Sequence, residues 1–159
     1  MVSFSHDKNV KIQPIVQVDA EMYGDLDSKI TGEIYAELLK HGIKTNRIAR
    51  PDSLESALKI YSQLDLLIGM RMHSNILSAV QGVPFIAVAY EHKTKGISKY
   101  VGLERYCLDY EKVNSDNLSK LLVKAWDNKM KLGDSVKNYI RRIQSEENIR
   151  WKNLLNFNV

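Results

Sequence analysis

The apolar residues of this 159-residue chain alternate between short continuous runs and runs at helical spacing. Residues 11–18 are β-branched and apolar and predict a strand, after which an acidic stretch containing glycine predicts a loop through Asp27. The next apolar residues recur at helical spacing and predict a helix: Ile30, Ile34, Tyr35 and Leu38. Gly42 is placed to end that helix in a left-handed conformation.

A second strand and a second helix are predicted next. Residues 45–49 have the composition of a strand. Pro51 then opens a helix for which Asp52 and Glu55 would form the capping box. The predicted buried face of this helix comprises Leu54, Ala57, Leu58 and Tyr61.

The middle of the chain continues the alternation. Residues 65–69 and 84–90 are apolar runs typical of strands buried on both faces of a parallel sheet, and residues 72–81 predict a helix that Gly82 ends. Further along we predict one strand and two polar helices: residues 106–109, 115–130 and 135–156. Alternation with short connections predicts an α/β fold, a three-layer Rossmann-like sandwich around a parallel sheet, forming one domain over residues 1–159.

Composition narrows the class of protein. The chain is 44% hydrophobic and 26% charged, which allows one buried core and gives no sign of disorder. No apolar run approaches the roughly 18 to 20 residues that span a bilayer, and the first residues lack a signal-peptide profile. We therefore expect a soluble, cytoplasmic protein. Cys107 is the only cysteine, so an intrachain disulfide and a cysteine-based zinc cluster are excluded.

Charge indicates the kind of ligand. The formal net charge of +4 favours phosphorylated or carboxylated ligands and, less strongly, an anionic membrane surface. The basic residues are spread along the chain without interleaved aromatics, which argues against nucleic acid. Basic residues on the last predicted helix leave contact with a partner domain, or peripheral contact with the inner face of the membrane, open: Arg141, Arg142, Arg150 and Lys152.

Chemistry-bearing residues follow two of the predicted strands directly. In open parallel sheets the ligand crevice lies beyond the carboxyl ends of the strands. The first set begins a helix and comprises Arg71, His73, Ser74 and Asn75. The second set comprises Tyr90, Glu91, His92, Lys93 and Lys95. A helix start offers unpaired N–H groups and partial positive charge, so two such sets suit a ligand with two anionic groups, such as a phosphate and a carboxylate.

Several familiar sites are absent from the sequence. It contains no glycine-rich phosphate loop and no Gly-x-Gly-x-x-Gly, and neither a Gly-x-Ser-x-Gly elbow nor a His-Glu-x-x-His helix. The two usual nucleotide cradles and the two usual hydrolase signatures are therefore not supported.

The two sets also carry a resemblance. The segments Leu64–Ser74 and Gly82–Tyr90, together with Lys93 and Val101-Gly102-Leu103, resemble the carboxyl-terminal domain of the polysaccharide pyruvyl transferase family. The shared pattern is an Arg-x-His helix start, a Gly-Val-Pro strand start and a Tyr-x-x-Lys after that strand. Coarser similarity runs over most of the chain.

The resemblance implies one half of a two-domain fold of the glycosyltransferase-B type. In that family phosphoenolpyruvate binds between the domains as donor substrate, and its pyruvyl group is transferred as a ketal to a glycan or lipid-linked sugar acceptor of a cell-surface polysaccharide. No further cofactor is implied. His73 and Lys93 occupy the family positions associated with phosphoenolpyruvate binding. An amino-terminal domain or a partner chain would complete the site.

Each candidate residue has a catalytic or binding interpretation and a structural one. His73 would contact phosphate and transfer a proton, since imidazole titrates near neutrality, or would only cap a helix. Lys93 would hold phosphate or carboxylate, or lie solvated at the surface. Arg71 would bind an anion or pair with a carboxylate at the sheet edge. Ser74 and Asn75 would donate to a ligand or cap the helix, and the general base is unassigned.

Two other functions fit the same architecture. A glycosyltransferase that uses a nucleotide-sugar donor would respond to a nucleoside diphosphate and not to phosphoenolpyruvate. A non-catalytic Rossmann-like binding or assembly module would respond to neither and would form a stable complex with another domain or chain.

Overall fold

The computed structural model describes residues 2–20 and 25–156, without the side chains of residues 2, 3, 6, 20, 25, 26 and 149–156. Arg150 and Lys152 of the basic set therefore lie outside the described side chains. The helices are α1 (Val2–Asp7), α2 (Asp27–Lys40), α3 (Leu54–Tyr61), α4 (Met72–Val80), α5 (His92–Tyr100), α6 (Ser115–Asp127) and α7 (Lys129–Asn156). The strands are β1 (Asp19–Ala20), β2 (Asp25–Leu26), β3 (Leu67–Gly69), β4 (Phe85–Ala89) and β5 (Cys107–Asp109).

A parallel sheet with strand order β3-β4-β5 forms the centre of the fold. Gly69 is aligned with Ala87, and Ala89 with Asp109, so the three strands end at a common carboxyl edge. Helix α4 connects β3 to β4 and α5 leads from β4 towards β5, which confirms the predicted alternation of strand and helix. This arrangement is α/β and Rossmann-like.

The core is centred on β4. All five residues of this strand are buried, and the side chains of Phe85, Ile86 and Ala87 are almost fully enclosed. The apolar run of residues 84–90 was therefore a sound predictor of a strand covered on both faces. Tyr61 of α3, Leu122 of α6 and Val136 of α7 belong to the same cluster.

The first two predicted strands are wrong as continuous strands. Residues 11–18 and 45–49 meet only at two isolated parallel bridges, Ile12 with Thr45 and Ile15 with Ala49. The second bridge lies three residues further along one segment and four along the other, so one segment has an extra residue. Pro14 lies between the bridges and has no N–H to donate, which explains why the ladder is interrupted there.

Two helix predictions need correction in detail. The capping box of α3 is formed by Ser53 and Ser56, because Ser53 is the residue with extended backbone at the helix start and its hydroxyl accepts from the Ser56 N–H. Leu54 is exposed, although it was expected on the buried face. Ile30 and Ile34 of α2 are also exposed, and only Leu38 of that helix is buried.

Other boundaries also differ from the prediction. Helices α1 and α5 were not predicted, since His92–Tyr100 is mostly polar and has no clear apolar period. Strands β1 and β2 pair antiparallel inside the predicted loop. Helix α7 begins at Lys129, earlier than the expected position 135. Gly42 has the left-handed backbone expected of it, with φ of 65°, and Gly82, which was expected to end a helix, is also left-handed with φ of 70°.

Candidate functional site at the carboxyl edge of the sheet

The start of α4 follows β3 after a connection of two residues. Arg71 is the N-cap residue, with extended backbone at φ −75° and ψ 135°, and its side chain makes no capping hydrogen bond. His73 lies in the first helical turn and is exposed. The first turn of a helix has N–H groups without intrahelical partners and carries partial positive charge. An exposed imidazole thus lies at a helix end suited to anions.

Ser74 and Asn75 lie beneath this helix start. The Ser74 hydroxyl donates to the Arg71 carbonyl at 2.6 Å, and the residue is 6% exposed. Asn75 is fully buried, and neither side-chain oxygen nor nitrogen has a hydrogen-bond partner within the described residues. Both side chains pack against Gly69, where an added Cβ would lie 2.1 Å from the Asn75 Oδ1. The structure therefore uses both residues to support the helix start, and ligand contact by either stays a prediction.

Arg71 is engaged by a carboxylate that the sequence did not single out. Its Nη2 and Nε donate to the Asp27 Oδ1 at 2.9 Å and 3.3 Å, and both side chains are about three-quarters buried. Asp27 also accepts from the Val18 N–H at 3.1 Å and begins α2. This geometry favours the pairing interpretation of Arg71 over direct anion binding.

A signal for Asp27 existed in the sequence. It is the last acidic residue of the stretch that follows residues 11–18, directly before the apolar residues at helical spacing, and acidic residues are favoured in the first turn of a helix. The loop prediction concealed it, because the structure makes Asp27 the first residue of a helix.

The start of α5 repeats the arrangement on the next strand. Glu91 is its N-cap residue, with φ −130° and ψ 152°, and it too makes no side-chain capping bond. His92 and Lys93 are exposed in the first turn, and Tyr90 is 48% exposed just before it. Thr94 of the same turn is buried. The start of α5 therefore exposes Lys93, together with Glu91, at the end of β4, which is adjacent to the end of β3.

The fold brings these two helix starts to one side of the molecule. Strands β3 and β4 are adjacent and parallel, and α4 packs against α5. His73 and Lys93 therefore lie at neighbouring strand ends, while Ser74 and Asn75 are enclosed below and Arg71 is paired. By contrast, α3 and α6 each begin with a complete capping box, Ser53 with Ser56 and Asn114 with Asn117.

Lys95 differs from His73 and Lys93 because its side chain is paired with a carboxylate. Its ammonium forms an ion pair with Asp109, the last residue of β5. This hydrogen-bonded contact raises the pKa of Lys95 and lowers the pKa of Asp109. Lys95 therefore contributes a neutralised pair to the edge of the sheet.

Tyr61 supports the site from below. It is 1% exposed, and its hydroxyl donates to the Gln17 Oε1 at 2.7 Å. Burial raises its pKa to about 12, and a hydrogen bond with Ser74 partly opposes that shift. Tyr61 thus links the residues 11–18 to the underside of α4.

Two features are absent from the described part of the chain. Among the side chains that the structure describes, His, Cys, Asp and Glu form no group that could hold a metal ion. Across the same part of the chain, none of the helices combines the length and apolar character that crossing a membrane requires.

Comparison with known proteins agrees with the resemblance carried by these motifs. Residues 3–92, more than half of the chain, match the family described as polysaccharide pyruvyl transferase. The chain belongs to that family. The match includes the Arg71-x-His73 helix start and Tyr90, and it ends one residue before Lys93.

A relative from polysaccharide biosynthesis supports the same family. The chain is 44% identical over 46 residues to the amylovoran biosynthesis protein AmsJ of Erwinia amylovora. This alignment covers 29% of the chain and spans only 11% of the length of AmsJ. No solved structure matches the chain significantly.

Proposed function

We propose that this chain binds phosphoenolpyruvate and forms the donor-side part of a pyruvyl transferase of polysaccharide biosynthesis. Family membership supports transfer chemistry with a polysaccharide acceptor. The observation that carries the donor assignment is the pair of helix starts at neighbouring strand ends, each without a side-chain cap. Two uncapped helix starts with His73 and Lys93 suit the phosphate and carboxylate of one small ligand.

The two exposed side chains have distinct roles in this proposal. Lys93 holds the phosphate or carboxylate as a fixed positive charge. His73 contacts the phosphate and transfers a proton. Arg71 acts through its ion pair with Asp27, which fixes the position where the α4 start meets the crevice.

The reaction balances without a redox cofactor. A proton adds to the methylene carbon of phosphoenolpyruvate, and the resulting cationic carbon, the one that carries the phosphate, is attacked by a first sugar hydroxyl, which loses its proton. The bond between that carbon and the phosphate oxygen breaks, inorganic phosphate leaves, and a second hydroxyl closes the ketal as it loses its proton. Anion-binding groups stabilise the departing phosphate.

The rest of the active site belongs to another part of the enzyme in this proposal. The chain corresponds to one domain of a two-domain fold of the glycosyltransferase-B type, and an amino-terminal domain or a partner chain contributes the remaining groups. The acceptor is a glycan or a lipid-linked sugar, and the reaction takes place in the cytoplasm or at the inner face of the membrane. Phosphoenolpyruvate is the donor, with no separate cofactor.

Calorimetric titration with phosphoenolpyruvate tests the proposal. His73→Ala and Lys93→Ala should each weaken binding about ten-fold or more, because each removes a charge-assisted contact. His41→Ala is the matched histidine control, since His41 is exposed at the far end of α2. Lys99→Ala is the matched lysine control, since it changes the last turn of α5. Both controls should bind like the wild type.

Three outcomes would count against the proposal. Binding that is unchanged in both site variants would remove the assigned residues from the donor site. A thermal-shift response to uridine diphosphate, without one to phosphoenolpyruvate, would indicate a nucleotide-sugar glycosyltransferase. A response to neither compound would indicate a non-catalytic module.

A further inference from the structure

Two exposed tyrosines follow the aligned ends of β4 and β5. Ala89 is paired with Asp109 in the parallel register, so Tyr90 and Tyr110 each lie one residue beyond the same pair. Tyr90 is 48% exposed and Tyr110 is 55% exposed. Neighbouring strands lie about 4.8 Å apart, so the two aromatic side chains branch from adjacent points of the carboxyl edge.

The polar groups beside these rings are arranged for neutral hydrogen-bonding ligands. Asp109 is the last residue of β5, aligned with Ala89, and its Oδ1 pairs with the Lys95 ammonium. Its Oδ2 is 3.8 Å from the Lys112 ammonium. The lowered pKa of Asp109, caused mainly by Lys95, keeps this carboxylate ionised as an acceptor. The site thus offers a carboxylate paired with Lys95 and a further ammonium group on Lys112, and the three groups together carry one net positive charge.

The surroundings of the rings indicate what they bind. The residues that follow each tyrosine are charged or potentially charged: Glu91, His92 and Lys93 after the first, and Glu111 and Lys112 after the second. A protein interface would need a contiguous apolar core, and these neighbours do not form one. Aromatic faces combined with carboxylate and ammonium groups suit a ligand that is apolar on its ring faces and polar at its rim, which describes a sugar ring.

We infer that Tyr90, Tyr110 and Asp109, with their flanking lysines, form a sugar-binding subsite for the acceptor glycan, located beside the donor-side helix starts. As an acceptor subsite, the inference rests on the proposed function. The tyrosine rings stack on the sugar, while Asp109 and Lys112 hydrogen-bond its hydroxyls. The position one strand further along from β3 places the acceptor next to Lys93, where a hydroxyl can approach the donor.

The test measures the affinity of the full chain for neutral trisaccharides, with nuclear magnetic resonance as the method. Maltotriose, cellotriose and a galactotriose are the probes, and saturation transfer and amide shift changes are the readouts. At least one probe should bind, and Tyr110→Ala should weaken it about ten-fold, the effect expected for losing one stacked ring. Tyr110→Phe should retain most of the affinity because it keeps the ring.

Tyr100→Ala is the matched control. Tyr100 is 58% exposed at the opposite end of α5, so this variant removes an equally exposed ring outside the subsite and should bind sugar normally. The inference is overturned if no probe binds, if Tyr110→Ala binds as the wild type does, or if Tyr100→Ala loses affinity equally. It is also overturned if Tyr110→Phe binds as poorly as Tyr110→Ala, or if Tyr110→Ala weakens only uridine diphosphate.

Titration of the wild type with phosphoenolpyruvate distinguishes a failure of the sugar subsite from a failure of the donor assignment. If the sugar binds in a Tyr110-dependent way and phosphoenolpyruvate does not bind, the sugar site stands and the donor assignment fails. If phosphoenolpyruvate binds and the sugar does not, the donor assignment stands and the subsite is wrong.

Discussion

Four helices of this protein, α3 to α6, begin in two different ways. Helices α3 and α6 start with reciprocal capping boxes, Ser53 with Ser56 and Asn114 with Asn117. Helices α4 and α5 start at Arg71 and Glu91, whose side chains make no capping bond within the described residues. The N-cap preference for Ser, Thr, Asp and Asn is strong, so two adjacent helices without it are unusual.

The difference is informative because of where the uncapped helices lie. Both begin at the carboxyl ends of β3 and β4, where ligands bind in parallel sheets. Natural proteins depart from local stability rules mainly at functional sites. The first turns of α3 and α6 are capped by side chains of the chain itself, whereas in the proposed function the first-turn N–H groups of α4 and α5 bind the donor.

The largest expected effect is on the packing that supports the uncapped α4. Gly69→Ala would place a Cβ 2.1 Å from the Asn75 Oδ1 and 2.9 Å from the Ser74 Oγ. Both groups are buried and cannot move into solvent. We expect the free energy of unfolding, measured by urea denaturation, to fall by about 3 kcal/mol.

Gly96→Ala is the matched control for this change. Gly96 lies in α5 with nothing near the position of an added Cβ, so alanine should stabilise the helix by about 1 kcal/mol. The double variant Gly69→Ala with Asn75→Ala should recover part of the loss. An unchanged stability in Gly69→Ala would show that α4 does not depend on this contact.

The second largest expected effect is a pH dependence of the free energy of unfolding that comes from Tyr61. Its folded pKa of about 12 lies above the ordinary value of 10.0, so the folded state favours the neutral phenol. The stabilisation is fully present below pH 10 and is lost as the pH rises towards 12, by up to about 2 kcal/mol. Tyr61→Phe should remove this difference in alkaline unfolding curves. Parallel curves for the two proteins would contradict the assigned burial.

The capping boxes themselves give a smaller effect. Ser53→Ala and Asn114→Ala should each lower the free energy of unfolding by about 1 kcal/mol, because each removes an acceptor for a first-turn N–H. Neither change should alter phosphoenolpyruvate affinity. A loss of affinity in Asn114→Ala, for example, would mean that the contrast between the two kinds of helix start is not functional.

The variant with the smallest expected change in stability gives the most direct test of the contrast between capped and uncapped helix starts. Glu91 already has extended N-cap backbone, so Glu91→Asn should install a cap on α5 and raise the free energy of unfolding by about 0.5 kcal/mol. If the uncapped N–H groups bind the donor, the same variant should bind phosphoenolpyruvate more weakly. Glu91→Gln, which removes the charge without favouring a cap, is the control. Stronger binding in Glu91→Asn than in Glu91→Gln would contradict the interpretation.

The central elements could be predicted from the sequence because their signals are local and strong. The continuous apolar runs predicted β3 and β4, and Gly82 marked the end of α4. The residues of the Arg-x-His and Tyr-x-x-Lys patterns lie just after β3 and β4, as the sequence predicted, and their binding of a ligand stays a prediction. Their exposure could not be predicted, since it depends on what packs below each helix.

The remaining features depend on contacts distant in sequence. The partner of Arg71 is Asp27, which is 44 positions away, and spacing does not encode that pairing. Tyr110 was not singled out, because its relation to Tyr90 follows from the register of β4 with β5. Helix α5 was missed because its residues are polar and its stability comes from packing on α4 and β4.

The interrupted ladder at Pro14 has a consequence for local opening of the backbone near the start of α4. Backbone amides from Ile12 to Val16 are held at only two bridges, whereas β4 is hydrogen-bonded along both edges. We expect these amides to exchange with deuterium well before those of β4, as a separate opening unit. Val18 lies two residues beyond this segment and donates its N–H to Asp27, so an opening that reaches Val18 would remove one hydrogen bond from the carboxylate that pairs with Arg71. The Asp27–Arg71 pair at the start of α4 would then lose part of its support while the central sheet stays folded.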